Sequence, residues 1–138
     1  MYYALEALNQ TSKMKYDAIS GVSVGSINSL WMALFDKGNE KAMVDGLSDL
    51  WGNLHSKDIY QNWTIPYLPL RWRHGVYNNT ALLELMESIY DEYKPVKRNI
   101  SVGTVDLNTG TFQIFNETHE DLPKAVVSSA SIPLLFPY

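Results

Sequence analysis

Apolar residues along the chain recur first at the spacing of a strand and then at that of a helix. The short apolar run Tyr16–Ser20 predicts a strand. A helix is predicted over Val24–Phe35, because apolar residues recur there at i, i+3, i+4 and i+7, namely Ile27, Leu30, Trp31 and Leu34. Only residues 21–23 separate these two elements, so the chain has to turn sharply between them.

The same alternation of elements continues along the rest of the chain. The segment Ser56–Tyr77 is an exception: it is rich in aromatic residues and fits neither period. Helices alternating with strands, with one hairpin, predict a mixed α/β sheet with helices packed on it. The further predicted elements are a helix at Tyr2–Asn9, a helix capped by Asn39, a helix over Leu82–Tyr93, strands at Asn99–Asp106 and Thr111–Phe115, and a last helix from Asp121 to about Ser129.

The sharp turn carries the pentapeptide G-x-S-x-G, formed by Gly21, Ser23 and Gly25. In a nucleophile elbow, a strained turn of this kind exposes the serine hydroxyl between a strand and a helix. We expect both glycines to remove Cβ groups that would clash, and the N–H of Val24 to help form an oxyanion hole. The alternative is a glycine-rich turn that only packs a strand closely against a helix.

Composition excludes several other classes of function. The 138 residues suffice for one domain, and a net charge of −4 without a large basic cluster argues against nucleic acid as a partner. No apolar stretch approaches the length of a membrane span. The absence of cysteine excludes a thiol nucleophile. Zinc is not expected, because the histidines lack ligand spacing: His55, His74 and His119.

Sequons for N-glycosylation are more frequent than composition alone would give, which is about one or two. They favour passage through the secretory route, although chance sequons in a chain rich in Asn, Ser and Thr are the alternative. The compartment therefore stays open, as does the oligomeric state. The sequons begin at Asn9, Asn62, Asn78, Asn99 and Asn116.

Three segments in order, GVSVGSIN at 21–28, SVGTVDLNTG at 101–110 and AVVSSASIPLLFPY at 125–138, resemble the patatin-like phospholipase family. The resemblance implies a three-layer α/β fold, related to α/β-hydrolases, with helices on both faces of the sheet. It implies a lipid acyl hydrolase in lipid catabolism, with Ser23 as nucleophile in a Ser–Asp dyad and a phospholipid or other lipid as substrate. The chemistry requires no cofactor or metal, although some relatives respond to calcium.

Two parts of the family pattern are expected to lie outside residues 1–138. The glycine-rich oxyanion loop would precede Met1, and the catalytic Asp of a D-G-G/A motif would follow Tyr138, which itself stands in place of a family proline. We therefore expect a partial patatin-like domain at 1–138. No catalytic Asp is assigned within it, because each candidate has a structural explanation: Asp17 precedes the elbow, Asp106 belongs to the predicted hairpin, and Asp121 is predicted to cap the last helix.

Two other functions stay open beside the hydrolase. One is a truncated, catalytically inactive domain that binds lipid or is inert. The other is a Ser–His–Asp hydrolase, for which His119 is the only plausible histidine. Within Ser56–Tyr77, the rings of Trp63 and Trp72 suit either a peripheral contact with a membrane or burial against the core.

Small residues near the end of the last predicted helix, Ser128, Ser129 and Ser131, are expected to be structural. They would let that helix pack close to the elbow. None of them lies in a glycine-flanked turn, so a second nucleophile is not expected there.

Overall fold

The computed structural model describes residues 15–62 and 75–136. Within these ranges the chain forms three strands and five helices. The helix predicted at Tyr2–Asn9 and the rings of Trp63 and Trp72 lie outside the described residues. The elements are β1 (Ala18–Val22), α1 (Val24–Ala33), α2 (Glu40–Asn53), α3 (Ser56–Ile59), α4 (Thr80–Tyr93), β2 (Asn99–Val105), β3 (Phe112–Asn116) and α5 (Leu122–Ala130).

The strands form one mixed sheet in the order β1-β2-β3. β1 and β2 are parallel, with Val22 opposite Gly103, and β2 and β3 are antiparallel, with Val105 opposite Phe112. A parallel pair needs a long crossover, and helices α1 to α4 supply it. The predicted α/β class and the predicted hairpin are both confirmed.

The core lies between the sheet and helices α1, α2, α4 and α5. Both α1 and α5 contact β2, and the β2 side chains Ile100 and Val102 are completely buried. The opposite face of the sheet is different in the described part of the chain. It presents large apolar side chains that are each more than half exposed: Val22 at 57%, Val105 at 54%, Phe112 at 58% and Ile114 at 66%.

Several local features depart from the predicted elements. Asn39 does precede α2, but its side chain makes no capping hydrogen bond. β1 runs over Ala18–Val22 rather than Tyr16–Ser20, because its ladder with β2 continues up to the elbow. The single-turn helix α3 was not predicted. It begins where Asp58 Oδ2 accepts a hydrogen bond of 2.9 Å from the N–H of His55, a local interaction that leaves no apolar period in the sequence.

Arg98, just before β2, ties together the ends of three elements. Its guanidinium donates to the carbonyls of Phe35 and Asp36, both at 2.8 Å, and to Glu40 Oε1 at 3.1 Å. Arg98 is almost fully buried, so these acceptors replace water around its charge. Burial by itself raises the pKa of Glu40, but hydrogen bonds from the Gly38 N–H and from Arg98 outweigh it, and the pKa is lowered overall.

Replacing Glu40 by Gln should destabilise the protein by about 1–3 kcal/mol at neutral pH, because the buried Arg98 loses its counter-charge. The carboxyl contribution is fully present above about pH 4.3, where Glu ionises in the unfolded chain. It is lost as the pH falls through the lowered folded pKa. Urea unfolding at pH 7 and pH 3 should therefore show a smaller difference between wild type and E40Q in acid.

The matched control is Glu84→Gln on the exposed surface of α4. This variant should stay close to wild type at both pH values. An equal stability gap for E40Q at pH 7 and pH 3 would contradict the assigned role of the carboxylate charge.

Candidate active site

Ser23 occupies the single position between β1 and α1. Its backbone has φ 56° and ψ −134°, a region that non-glycine residues rarely adopt and that costs on the order of 1–3 kcal/mol. The Ser23 carbonyl accepts hydrogen bonds from the Ser26 N–H at 2.8 Å and from Ser26 Oγ at 2.6 Å. The residue itself is exposed, so a strained turn presents a serine to solvent.

The two flanking glycines do not have the same role. A Cβ at Gly21 would lie 2.2 Å from the Gly25 carbonyl oxygen and 2.4 Å from Ser29 Oγ, so no larger residue fits there. At Gly25, no atom of the described residues lies within 4 Å of such a Cβ. The prediction that both glycines avoid a clash is therefore right at Gly21 and wrong at Gly25, whose position in α1 faces open space.

Two backbone donors stand beside Ser23 at the start of α1. The N–H groups of Val24 and Gly25 come before the first intrahelical hydrogen bond, whereas the Ser26 N–H is already bonded to the Ser23 carbonyl. The hydrogen bonds of the described residues include no acceptor for either group. Such N–H groups, at the positive end of a helix, can stabilise an oxyanion that forms on a group bonded to Ser23.

A cavity of about 240 Å³ opens next to Ser23. Its walls come from α1, α2, α3, α4 and the segment after α5, and no carboxylate or imidazole lines it among the described residues. Typical ligand pockets hold about 300–1,000 Å³, so this one suits a single slim chain. The apolar lining includes Ile27, Leu50, Trp51, Leu54, Ile59, Leu82, Leu85, Met86, Ala130, Ile132 and Phe136.

This cavity was not predicted from the sequence. The apolar stripes of α2 and α4 were the available signal, but periodicity alone does not tell a core face from a cavity wall. One wall is oriented by a polar bond: Trp51 Nε1 donates to Asn28 Oδ1 at 2.8 Å. Asn28 therefore has a structural role, which is to orient the Trp51 ring. It belongs to the first of the three family-like segments.

The described ends of the aromatic segment meet at the cavity. The Gln61 and Asn78 backbones form an antiparallel bridge, and the rings of Tyr60 and Tyr77 lie 4.9 Å apart. Both rings also contact Phe136, which lines the cavity. Tyr60 and Tyr77 therefore lie next to the cavity.

Asp17 and Asp106 are both engaged elsewhere. Asp17 immediately precedes β1 and so lies at the opposite end of this strand from Ser23. It forms an ion pair with Lys37, and the hydrogen bond from Lys37 lowers the pKa of Asp17. Asp106 accepts from the Asn108 N–H in the hairpin turn at 2.9 Å, which lowers its pKa. Neither carboxylate lines the cavity beside Ser23.

Asp121 and His119 lie near the start of α5. Asp121 caps this helix by accepting from the Lys124 N–H at 3.2 Å, as the sequence predicted. His119 Nδ1 accepts from the Asp121 N–H at 3.2 Å. His119 follows β3, which ends at the edge of the sheet opposite to Ser23 because β3 is antiparallel to the other strands. This placement argues against a Ser–His–Asp triad through His119.

Two wider features of the described residues concern membranes and metals. None of the described helices has the length and apolar character that a membrane span requires. In residues 15–62 and 75–136, no three His, Cys, Asp or Glu side chains group together in a way that could hold a metal ion.

An α/β fold with an exposed serine on a strained strand-to-helix turn is typical of serine hydrolases. A family model for patatin-like phospholipases matches residues 1–138, which is the whole chain. The chain therefore belongs to the patatin-like phospholipase family, as its three segments indicated. Membership supports a lipid acyl hydrolase function at the level of the family. A search of curated proteins gave no match.

The unequal roles of the two glycines lead to a direct test. Gly21→Ala should destabilise the protein by about 3 kcal/mol or more, because the new methyl group meets backbone that cannot move aside. Gly25→Ala should leave stability unchanged or raise it by about 0.5–1 kcal/mol, since alanine replaces glycine inside a helix. Thermal and urea unfolding measure both changes, and equal losses in the two variants would contradict the geometry.

Proposed function

We propose that this domain hydrolyses the acyl ester bond of a lipid, with Ser23 as the nucleophile. The observation that carries the proposal is the position of Ser23, exposed on a strained turn at the mouth of an apolar cavity. The hydroxyl would attack the ester carbonyl while the acyl chain lies in the cavity. A slim apolar space beside a polar nucleophile fits an aliphatic chain better than a charged or bulky group.

The proposed chemistry runs through an acyl-enzyme. An aspartate carboxylate accepts the proton of Ser23 Oγ as this oxygen bonds to the carbonyl carbon. The N–H groups of Val24 and Gly25 stabilise the resulting oxyanion. The alcohol then leaves with the proton, and a water molecule releases the fatty acid and restores the serine.

We propose that the aspartate and part of the oxyanion hole come from outside residues 1–138, which would make this segment a partial patatin-like domain. Supporting this, Asp17, Asp106 and Asp121 already have other partners. The lining of the cavity among the described residues also contains no carboxylate.

The same proposal includes a three-layer fold, with helices on both faces of the sheet, and a contact of the protein with a lipid surface. The apolar side chains exposed on the second face of the sheet, including Phe112 and Ile114, support a further helical layer over them. The rings of Tyr60 and Tyr77 beside Phe136 at the cavity support a peripheral membrane contact there, which co-sedimentation with phospholipid vesicles would detect.

The nucleophile is tested with a fluorophosphonate probe, which reacts with activated serines whatever the substrate. We expect the complete gene product to be labelled at Ser23 and to release fatty acid from a phospholipid. Ser23→Ala should remove both activities, because loss of the nucleophile costs far more than about a hundredfold in rate. The 138-residue segment alone should be labelled slowly, since loss of one oxyanion donor already costs about 10²–10³ in rate.

Ser128→Ala, at an exposed position of α5, is the matched control and should keep full activity. Fatty acid release by folded Ser23→Ala at more than about a tenth of the parental rate would reject the assignment. Robust turnover by the 138-residue segment would show instead that its own residues supply the base.

The cavity is tested by narrowing it. Leu54→Trp replaces an aliphatic side chain in the cavity wall by a bulky indole ring. Hydrolysis of long-chain esters should therefore fall by about tenfold or more relative to acetyl or butyryl esters. Leu107→Trp, on the exposed hairpin turn and outside the cavity lining, is the matched control. An unchanged ratio of long-chain to short-chain rates in folded Leu54→Trp would show that acyl chains bind elsewhere.

A further inference from the structure

The hydroxyl of Ser129 connects the elbow to the neighbouring strand. Ser129 Oγ accepts a hydrogen bond of 2.9 Å from the backbone N–H of Ser23. The same oxygen donates a hydrogen bond of 2.6 Å to the carbonyl of Gly103. A serine hydroxyl has one proton to donate and lone pairs to accept, so both bonds together fix its orientation.

The register of the sheet explains why this bridge is needed. The Asn99 N–H donates to the Asp17 carbonyl at 3.0 Å, so every second residue of β2 bonds to β1, starting with Asn99. The next bond after β1 ends would join the Ser23 N–H to the Gly103 carbonyl. Ser129 Oγ stands between these two groups and satisfies both.

Because the Ser129 hydroxyl is inserted there, the chain can leave the sheet at Ser23 while the Ser23 N–H still has a hydrogen-bond acceptor. The φ of 56° turns the Ser23 residue out of the ladder, and the hydroxyl spans the gap that opens. A second serine holds the same helix against the turn: Ser26 Oγ lies 3.0 Å from the Val126 carbonyl and 2.6 Å from the Ser23 carbonyl. Helix α5 therefore holds the elbow at two points.

We propose that Ser129 is a positioning residue that holds Ser23 in its strained, reactive conformation through this bridge. The inference rests on the proposed role of Ser23 as nucleophile and adds a second residue to that site. Ser129 itself does not touch the substrate. Its hydroxyl acts through the backbone of Ser23, so its loss should change the rate of attack more than the binding of the ester.

The test compares Ser129→Ala with Ser129→Thr in the complete gene product. Ser129→Ala should lower kcat and the fluorophosphonate labelling rate by about 10- to 100-fold, since a small misplacement of a reacting group has an effect of this size. KM should change less than about twofold. Threonine restores the hydroxyl and should recover most of the rate, while Ser128→Ala on the exposed side of the same helix should have no effect.

A readout independent of activity separates this inference from the proposed function. Amide hydrogen exchange at Ser23 should accelerate at least about tenfold in Ser129→Ala, because its N–H loses a partner. Exchange within β1 should stay unchanged. If wild type were not labelled at Ser23, the proposed function would fail, and the exchange rate would still decide whether Ser129 holds the turn.

If folded Ser129→Ala were labelled at the wild-type rate and its Ser23 N–H exchanged at the wild-type rate, the inference would be overturned. Equal rates for the alanine and threonine variants would also overturn it. If Ser129→Ala did not fold, Ser129→Cys would decide, because a thiol keeps the size of the side chain but is a weak donor and acceptor. Slow labelling with fast Ser23 exchange in that variant supports the bridge, and wild-type behaviour rejects it.

Discussion

Where β1 meets α1, the backbone at Gly21 passes so close to Gly25 and Ser29 that no side chain fits between them. This contact fixes the angle at which the helix leaves the strand. The angle in turn sets the direction of the first N–H groups of α1 and the place of Ile27 in the cavity wall. The strain at Ser23, the donors beside it and the apolar cavity all depend on this one close approach.

Different kinds of interaction hold the two ends of helix α1. At its start, the Ser129 hydroxyl accepts from the N–H of Ser23, and the Ser26 hydroxyl donates to the carbonyl of Ser23. Beyond its end, the buried charge of Arg98 gathers carbonyls that follow the helix and pairs with Glu40. Between these anchors, the helix is packed against the sheet and α5. A group at the start of α1 is therefore positioned by the whole domain and not only by its own turn.

Much of the fold could be predicted from the sequence, because the apolar spacing of each element is a local signal. The helix after Ser23 was predicted from its apolar spacing, whereas the hairpin after Asp106 and the cap at Asp121 were predicted from local turn and capping residues. The bridge through Ser129 and the walls formed by Leu54 and Met86 could not be, since they depend on residues distant in sequence. The steric difference between Gly21 and Gly25 likewise required the tertiary structure.

The sequence separation of 106 residues between Ser23 and its partner Ser129 also sets an order of events during synthesis. A ribosome adding about 5–20 residues per second needs roughly 5–20 s to make that stretch. Until then, the turn lacks the helix carrying Ser129, and for most of that time it also lacks the strand carrying Gly103. In the nascent chain, Ser23 is therefore not yet held in its strained backbone conformation. The elbow is completed only when the last helix of the described structure docks.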